Sequence, residues 1–196
     1  MVTDHRKLPR RRGEALSAAI YQATLEELAE SGYAGLTMER VAERARAGKA
    51  SLYRRWPTRI ELVTEAVRST LPTPESLPDT GTLRGDLVAM LRQAAQALSG
   101  PAGEALRGLL GEALSSESPL RALRRTSQGM ARRTMEEVVR RAVDRGEVAP
   151  GAVTPRRLDA GHALLRHHFL FGGPPIDDDL VIQIVDEVVV PLLTRG

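Results

Sequence analysis

Cysteine is absent from this chain. Its absence removes disulfides, thiolate metal sites and cysteine nucleophiles together, and makes a cytoplasmic protein the expected setting. No apolar run approaches the roughly 18 residues of a membrane span, and the basic start MVTDHRKLPRRRGEAL leads into no apolar signal segment. Apolar and polar residues nowhere alternate with period two, so strands are not expected; the β-branched cluster Val188 to Val190 lies inside a helical stripe. Lysine is scarce, with Lys7 and Lys49 alone, and arginine carries the rest of the positive charge. A GC-rich coding bias explains that choice as readily as a demand for bidentate contacts. No Ser/His/Asp order, glycine-rich phosphate loop or paired-carboxylate pattern stands out, which argues against an enzyme.

What is present suffices for a core, since 42% of the 196 residues are hydrophobic and 27% charged. The charge is uneven. Residues 1–60 hold 12 Lys and Arg against 7 acidic residues, a net of +5, whereas the remainder holds 16 against 18, a net of −2. One end attracts polyanions and the other does not.

Apolar residues recur three and four apart in Leu16, Ile20, Ala23 and Leu28, again from Leu83 to Ala94, and again from Leu180 to Leu192. The expected fold is all-α, with about nine helices, four before a proline-rich segment and five after it. Gly32 closes the first helix, Thr37 caps a second, Pro57 ends a third, and Thr58 with Glu61 forms a capping box for a fourth. The segment LPTPESLPDTG, with three prolines, is the candidate boundary. The expected organisation is a basic tail over 1–12, a three-helix unit over 13–57, a connecting helix over 58–71, a linker over 72–81 and a helical domain over 82–196.

Within 36–62, LTMERVAERARAGKASLYRRWPTRIEL, two short helical patterns meet at Arg46-Ala47-Gly48, a connection too short for anything but a sharp corner: a helix-turn-helix. At 100° per residue, with Leu52 inward, Ala50 and Arg54 point away, flanked by Ser51 and Tyr53. A small, polar, cationic face of this kind suits a DNA major groove, where arginine reaches guanine O6 and N7 and alanine touches a thymine methyl.

The stretch GKASLYRRWPTRIELV, 48–63, together with LTMERVAERA, resembles the TetR family of bacterial transcriptional regulators, over residues 10 to 70 most strongly. RAVDRGEVAPGAV, a histidine-bearing helix and FGGPPIDDDLV resemble the regulatory domain of one TetR subgroup. The resemblance implies a homodimeric regulator, a repressor released from a palindromic operator by a small-molecule effector. It makes Thr37, Tyr53, Thr58 and Arg59 phosphate contacts, and Lys49, Ala50, Ser51 and Arg54 groove-facing residues. Tyr53 is alternatively a half-buried aromatic, Arg55 has no assigned side, and the tail Arg6, Lys7, Arg10, Arg11, Arg12 either reaches DNA or is a solvated charge run. Arg46 stands where the family usually carries glycine; a left-handed backbone there costs arginine on the order of 1 kcal/mol.

The resemblance also implies an effector pocket among the C-terminal helices, for which the candidates are Met90, Leu106, Leu110, Met130, His162 and Arg166. Dimer contacts are expected at Gly161, Leu165, Val181, Val185, Val188 and Leu192, because the terminal helix is apolar on more than one side. The helix over 58–71 is expected to be the sole helical link between the two parts. His162, His167 and His168 lack the i, i+4 spacing of a helical metal site, so no metal and no cofactor beyond an unidentified effector is expected. The alternative reading is a helical protein–protein adaptor whose basic module no longer binds DNA.

Overall fold

In the computed structural model, residues 13–113 and 117–195 are described, with all their side chains except those of 112–128 and 130. The basic tail through Arg12 and the side chain of Met130 lie outside the described residues.

Helix α1 (Glu14–Gly35) is broken at Gly32, whose φ of 65° lies where a β-carbon is disfavoured. Helix α2 (Met38–Arg44) starts at Thr37, whose Oγ1 accepts from the Arg40 amide at 3.2 Å. It ends in two reversed hydrogen bonds, Arg46 N–H to Glu43 O at 3.0 Å and Ala47 N–H to Ala42 O at 2.9 Å. These place Arg46 at the left-handed position of the corner, with φ 52°. Helix α3 (Lys49–Arg55) follows and stops before Trp56-Pro57. Helix α4 (Arg59–Arg68) carries the full capping box, Glu61 N–H to Thr58 Oγ1 at 3.2 Å and Thr58 N–H to Glu61 Oε2 at 3.3 Å.

After a 3-10 turn at Pro74–Ser76 come α5 (Leu83–Ser99), α6 (Pro101–Ala113), α7 (Glu117–Asp144) and, past Pro150–Ala152, α8 (Pro155–Phe171). The last helix, α9, begins at Asp178–Gln183, opens into a π-helical turn over Ile184–Val189 and closes through Val190–Thr194. Pro191 has no N–H and its ring crowds the Glu187 carbonyl, which gives the turn before it reason to widen. The described residues thus form nine helices and no strand, and none of the helices is long and apolar enough to cross a membrane.

Two apolar cores result. One joins Ile20, Leu28, Val41, Leu52, Trp56 and Leu62 of the N-terminal helices, and α6 lends it Ala105 and Leu109. The other joins α5, α7, α8 and α9 through Leu91, Met135, Val138, Leu165 and Val185. The junction between them is wider than the expected single helix. Alongside α4, α6 lies on α1 so closely that a β-carbon on Gly108 would stand 2.3 Å from the Tyr33 Cβ.

Four of the expected interface residues belong inside this protomer. Leu165, Val181 and Val185 are 1%, 1% and 0% exposed, and Gly161 is buried. The reason is that α9 turns its Val181, Val185 and Val189 side inward. Gly161 lets α8 close on it, since a β-carbon there would lie 3.1 Å from Val189 Cγ2. Val188 is half-buried and Leu192 is 38% exposed, and on α8 Leu164, Leu170 and the 80% exposed Phe171 are exposed as well.

Candidate functional site

Leu52, wholly buried, fixes the roll of α3 and leaves Lys49, Ala50 and Arg54 exposed and Ser51 half-exposed. Among the described residues Arg54 has no hydrogen bond or ion pair, so its guanidinium is uncommitted. Tyr53 is 42% exposed, and its hydroxyl donates to Glu39 Oε1 at 3.0 Å, tying α3 to the start of α2. That bond lowers the Glu39 carboxyl after the amide at its own backbone, and raises the Tyr53 phenol. Thr37 and Thr58 are exposed at their helix starts.

Two arginines depart from a simple outward reading. Arg59, expected on phosphate, lays its guanidinium 4.4 Å over the Tyr33 ring, with Nη1 3.4 Å from the Tyr33 carbonyl and 3.5 Å from that of Leu36. Cation–π attraction and two carbonyls hold it against the corner between α1 and α2. Arg55 donates to Ser17 Oγ at 2.8 Å and so faces α1.

The frame under this surface is polar and was not legible beforehand. Glu27 of α1 is buried and pairs with Arg40 Nε at 2.6 Å and Arg44 Nη2 at 2.9 Å, both from α2; Arg44 also grips Glu30. Glu65 of α4 accepts from the Tyr21 hydroxyl at 2.7 Å and the Trp56 indole at 2.8 Å through one oxygen. The two rings meet edge-on at 5.5 Å, and burial followed by the Glu65 bond pushes the Tyr21 phenol up to about 12. The only clue to Glu65 was a carboxylate one turn beyond a capping box.

A cavity of about 80 Å³ lies between α4, α5, α6, α7 and α8. Leu106, His162 and Arg166, three of the pocket candidates, line it with Thr64, Val67 and Arg68 from α4. Met90 and Leu110 do not. Met90 is wholly buried in the C-terminal core, and Leu110 packs on the N-terminal core because α6 turns that side toward α1. Thr64 Oγ1 and His162 Nδ1 are the buried side-chain polar atoms without a hydrogen-bond partner among the described residues. Burial, then the charge of Arg166, pushes the His162 imidazole down to about 4, so it is neutral at physiological pH.

Residues 20–66 match the bacterial regulatory proteins of the tetR family, and residues 77–188 match the tetracyclin repressor-like C-terminal domain. The chain belongs to the TetR family. The DNA-binding transcriptional repressor TetR of Mycobacteroides abscessus is 35% identical over 191 residues, which span 94% of this chain and 97% of that protein. The crystal structure of the TetR family transcription regulator SCO0332 superposes with a TM-score of 0.74 at 30% identity, over 90% of this chain and 97% of that one. NalD, the secondary repressor of the MexAB-OprM multidrug efflux pump in Pseudomonas aeruginosa, shares the fold. Its TM-score is 0.57 at 21% identity, over 93% of this chain and 98% of that one. As a TetR protein the chain is a DNA-binding transcriptional regulator, and the family is one whose members bind operator DNA, dimerise and answer to small-molecule effectors.

Proposed function

We propose that this TetR protein is a homodimeric repressor of nearby genes, released from its operator by a small molecule. The name of the Mycobacteroides relative, a repressor, supports the sign. Residues 13–57 form the reading unit, 58–71 the connecting helix, 72–81 the linker and 82–196 the regulatory and dimerising part. Arg54 takes guanine, Ala50 a thymine methyl, and Lys49 and Ser51 the flanking edges or phosphates. Thr37, Tyr53 and Thr58 contact phosphate, with the free amides at the start of α4 favouring the anion. Arg59 holds the corner that presents them.

The observation that carries the reading is where the cavity lies. Its wall includes Thr64, Val67 and Arg68 of α4, and the same helix is bound to the end of α3 through Glu65 and Trp56. A molecule entering there moves the helix that positions the reading head. To release DNA it must favour the non-binding state; a hundredfold preference shifts the equilibrium by about 2.7 kcal/mol per site. The outer face of α8 and α9, with Leu164, Phe171 and Leu192 exposed, supports pairing with a second copy. A two-fold dimer calls for half-sites about one DNA turn, ~34 Å, or a multiple apart.

A gel shift on the DNA upstream of the gene, run over a range of salt, tests the reading. Specific retardation that weakens steeply with salt is the expected result. Binding no stronger than to unrelated DNA would leave the adaptor alternative. Phe171→Asp is expected to sediment as a monomer and to lose operator binding. Spin labels on the two recognition helices should change separation when a releasing compound is added, and an unchanged distance rejects the α4 lever.

A further inference from the structure

The cavity carries a statement about what it takes. A buried hydroxyl or imidazole left without a partner costs roughly 1–3 kcal/mol, and Thr64 of α4 and His162 of α8, which line the same cavity, both bear that cost. One turn beyond His162, Arg166 lines the same cavity and has no hydrogen bond or ion pair among the described residues. Burial draws its guanidinium below the ordinary arginine value, and Asp159 opposes the shift only through space.

His162 and Arg166 also line an adjoining polar cavity of about 170 Å³. There Arg132 and Arg156 join Arg166 against one acid, Asp159, and Arg132 is engaged by Glu136 at 3.2 Å. The inner cavity has the opposite character. Val67, Leu71, Leu98, Leu106 and Leu165 dominate it, and no carboxylate lines it among the described residues. An apolar chamber with an unpaired arginine at its edge disfavours a cation and leaves a neutral guest without an answer to Arg166. A guest with a greasy body and one negative end satisfies both.

Resting on the effector-cavity reading above, we infer that the effector is an amphipathic carboxylate: its apolar body lies among the leucines, and its charged end pairs with Arg166 and draws hydrogen bonds from His162 and Thr64.

Hexanoate, hexanol and hexyltrimethylammonium share a short chain suited to the two adjoining cavities and differ in head-group charge. Calorimetric titration of the full-length protein with each is the test. Hexanoate should bind tightest, by roughly tenfold over hexanol. Arg166→Gln should remove that margin while leaving hexanol within about twofold of wild type, and Arg166→Lys should restore part of it. Thermal melts show that the variants fold; the comparison of the three probes on wild type needs no variant.

Hexanol or the ammonium binding as tightly as hexanoate overturns the anionic assignment and leaves the cavity reading standing. So does an Arg166→Gln protein that keeps the full margin. Failure of all three to bind, with operator binding intact, overturns it as well. A chain that binds hexanoate but no operator supports this inference and sinks the repressor.

Discussion

In the reading unit Glu27 is 1% exposed and bound by Arg40 at 2.6 Å and Arg44 at 2.9 Å, whereas in the regulatory half His162 is 9% exposed and leaves Nδ1 unmatched. Glu65 likewise answers two donors at once, while Thr64, its neighbour in sequence, answers none. The same helix therefore turns a finished network toward the DNA side and an unfinished one toward the cavity. The difference teaches which part must hold one shape and which part is built to be completed from outside. A fully satisfied buried network rigidifies its surroundings, and a partly satisfied one invites a partner.

The sharpest way to break that comparison is Glu27→Gln. Removing the buried charge takes the partner from the half-exposed Arg40 and leaves Arg44 with Glu26 and Glu30, and a loss of about 1.5 to 3 kcal/mol is expected, a fall in Tm of roughly 5–10 °C. An unchanged melt would mean the network is ornamental. The opposite behaviour is expected at His162. Its imidazole lies near 4 in the fold and near 6.5 in the unfolded chain, where it takes a proton first. Stability attached to the neutral ring is complete above pH 6.5 and is lost as pH falls toward 4, on the order of 3 kcal/mol by the lower limit. His162→Phe should flatten that dependence in denaturant titrations at pH 7 and pH 4.

Smaller effects sharpen the contrast between reading and holding. Arg54→Ala should cost roughly 1 to 3 kcal/mol in operator binding and relax the preference at one base pair. Arg59→Ala should weaken every sequence alike, because its guanidinium holds the α1–α2 corner at Tyr33. Identical base preferences for wild type and Arg54→Ala would remove its reading role. The smallest change concerns the corner itself: Arg46 sits at φ 52°, and Arg46→Gly should gain about 1 kcal/mol by relieving it, read as a rise in Tm of roughly 2–4 °C.

Local chemistry is what the chain displays openly. Thr37, Thr58 with Glu61, Gly32 and the strained Arg46 were readable because a cap or a left-handed turn needs only neighbours within a few residues. The roll of α3 was readable from Leu52, since a seven-residue helix has one buried anchor. Long-range choices were not. With valines on several sides of α9, nothing in the spacing says that Val181 and Val185 face inward and Leu192 outward; that is settled by where Gly161 admits the helix. Of the residues expected around a pocket, Leu106, His162 and Arg166 line the cavity, whereas Met90 and Leu110 pack with the two cores because α5 and α6 each serve two surfaces. Glu27 and Glu65 look like ordinary surface carboxylates until helices distant in sequence close over them.

The bond between the Trp56 indole and Glu65 has a practical consequence. This is the chain's one tryptophan, held by a side chain of the helix that walls the cavity, so indole emission, excited selectively over that of the three tyrosines, has a single origin. The unlabelled protein thereby carries an optical gauge at its hinge, and candidate effectors can be screened by fluorescence before any operator has been identified.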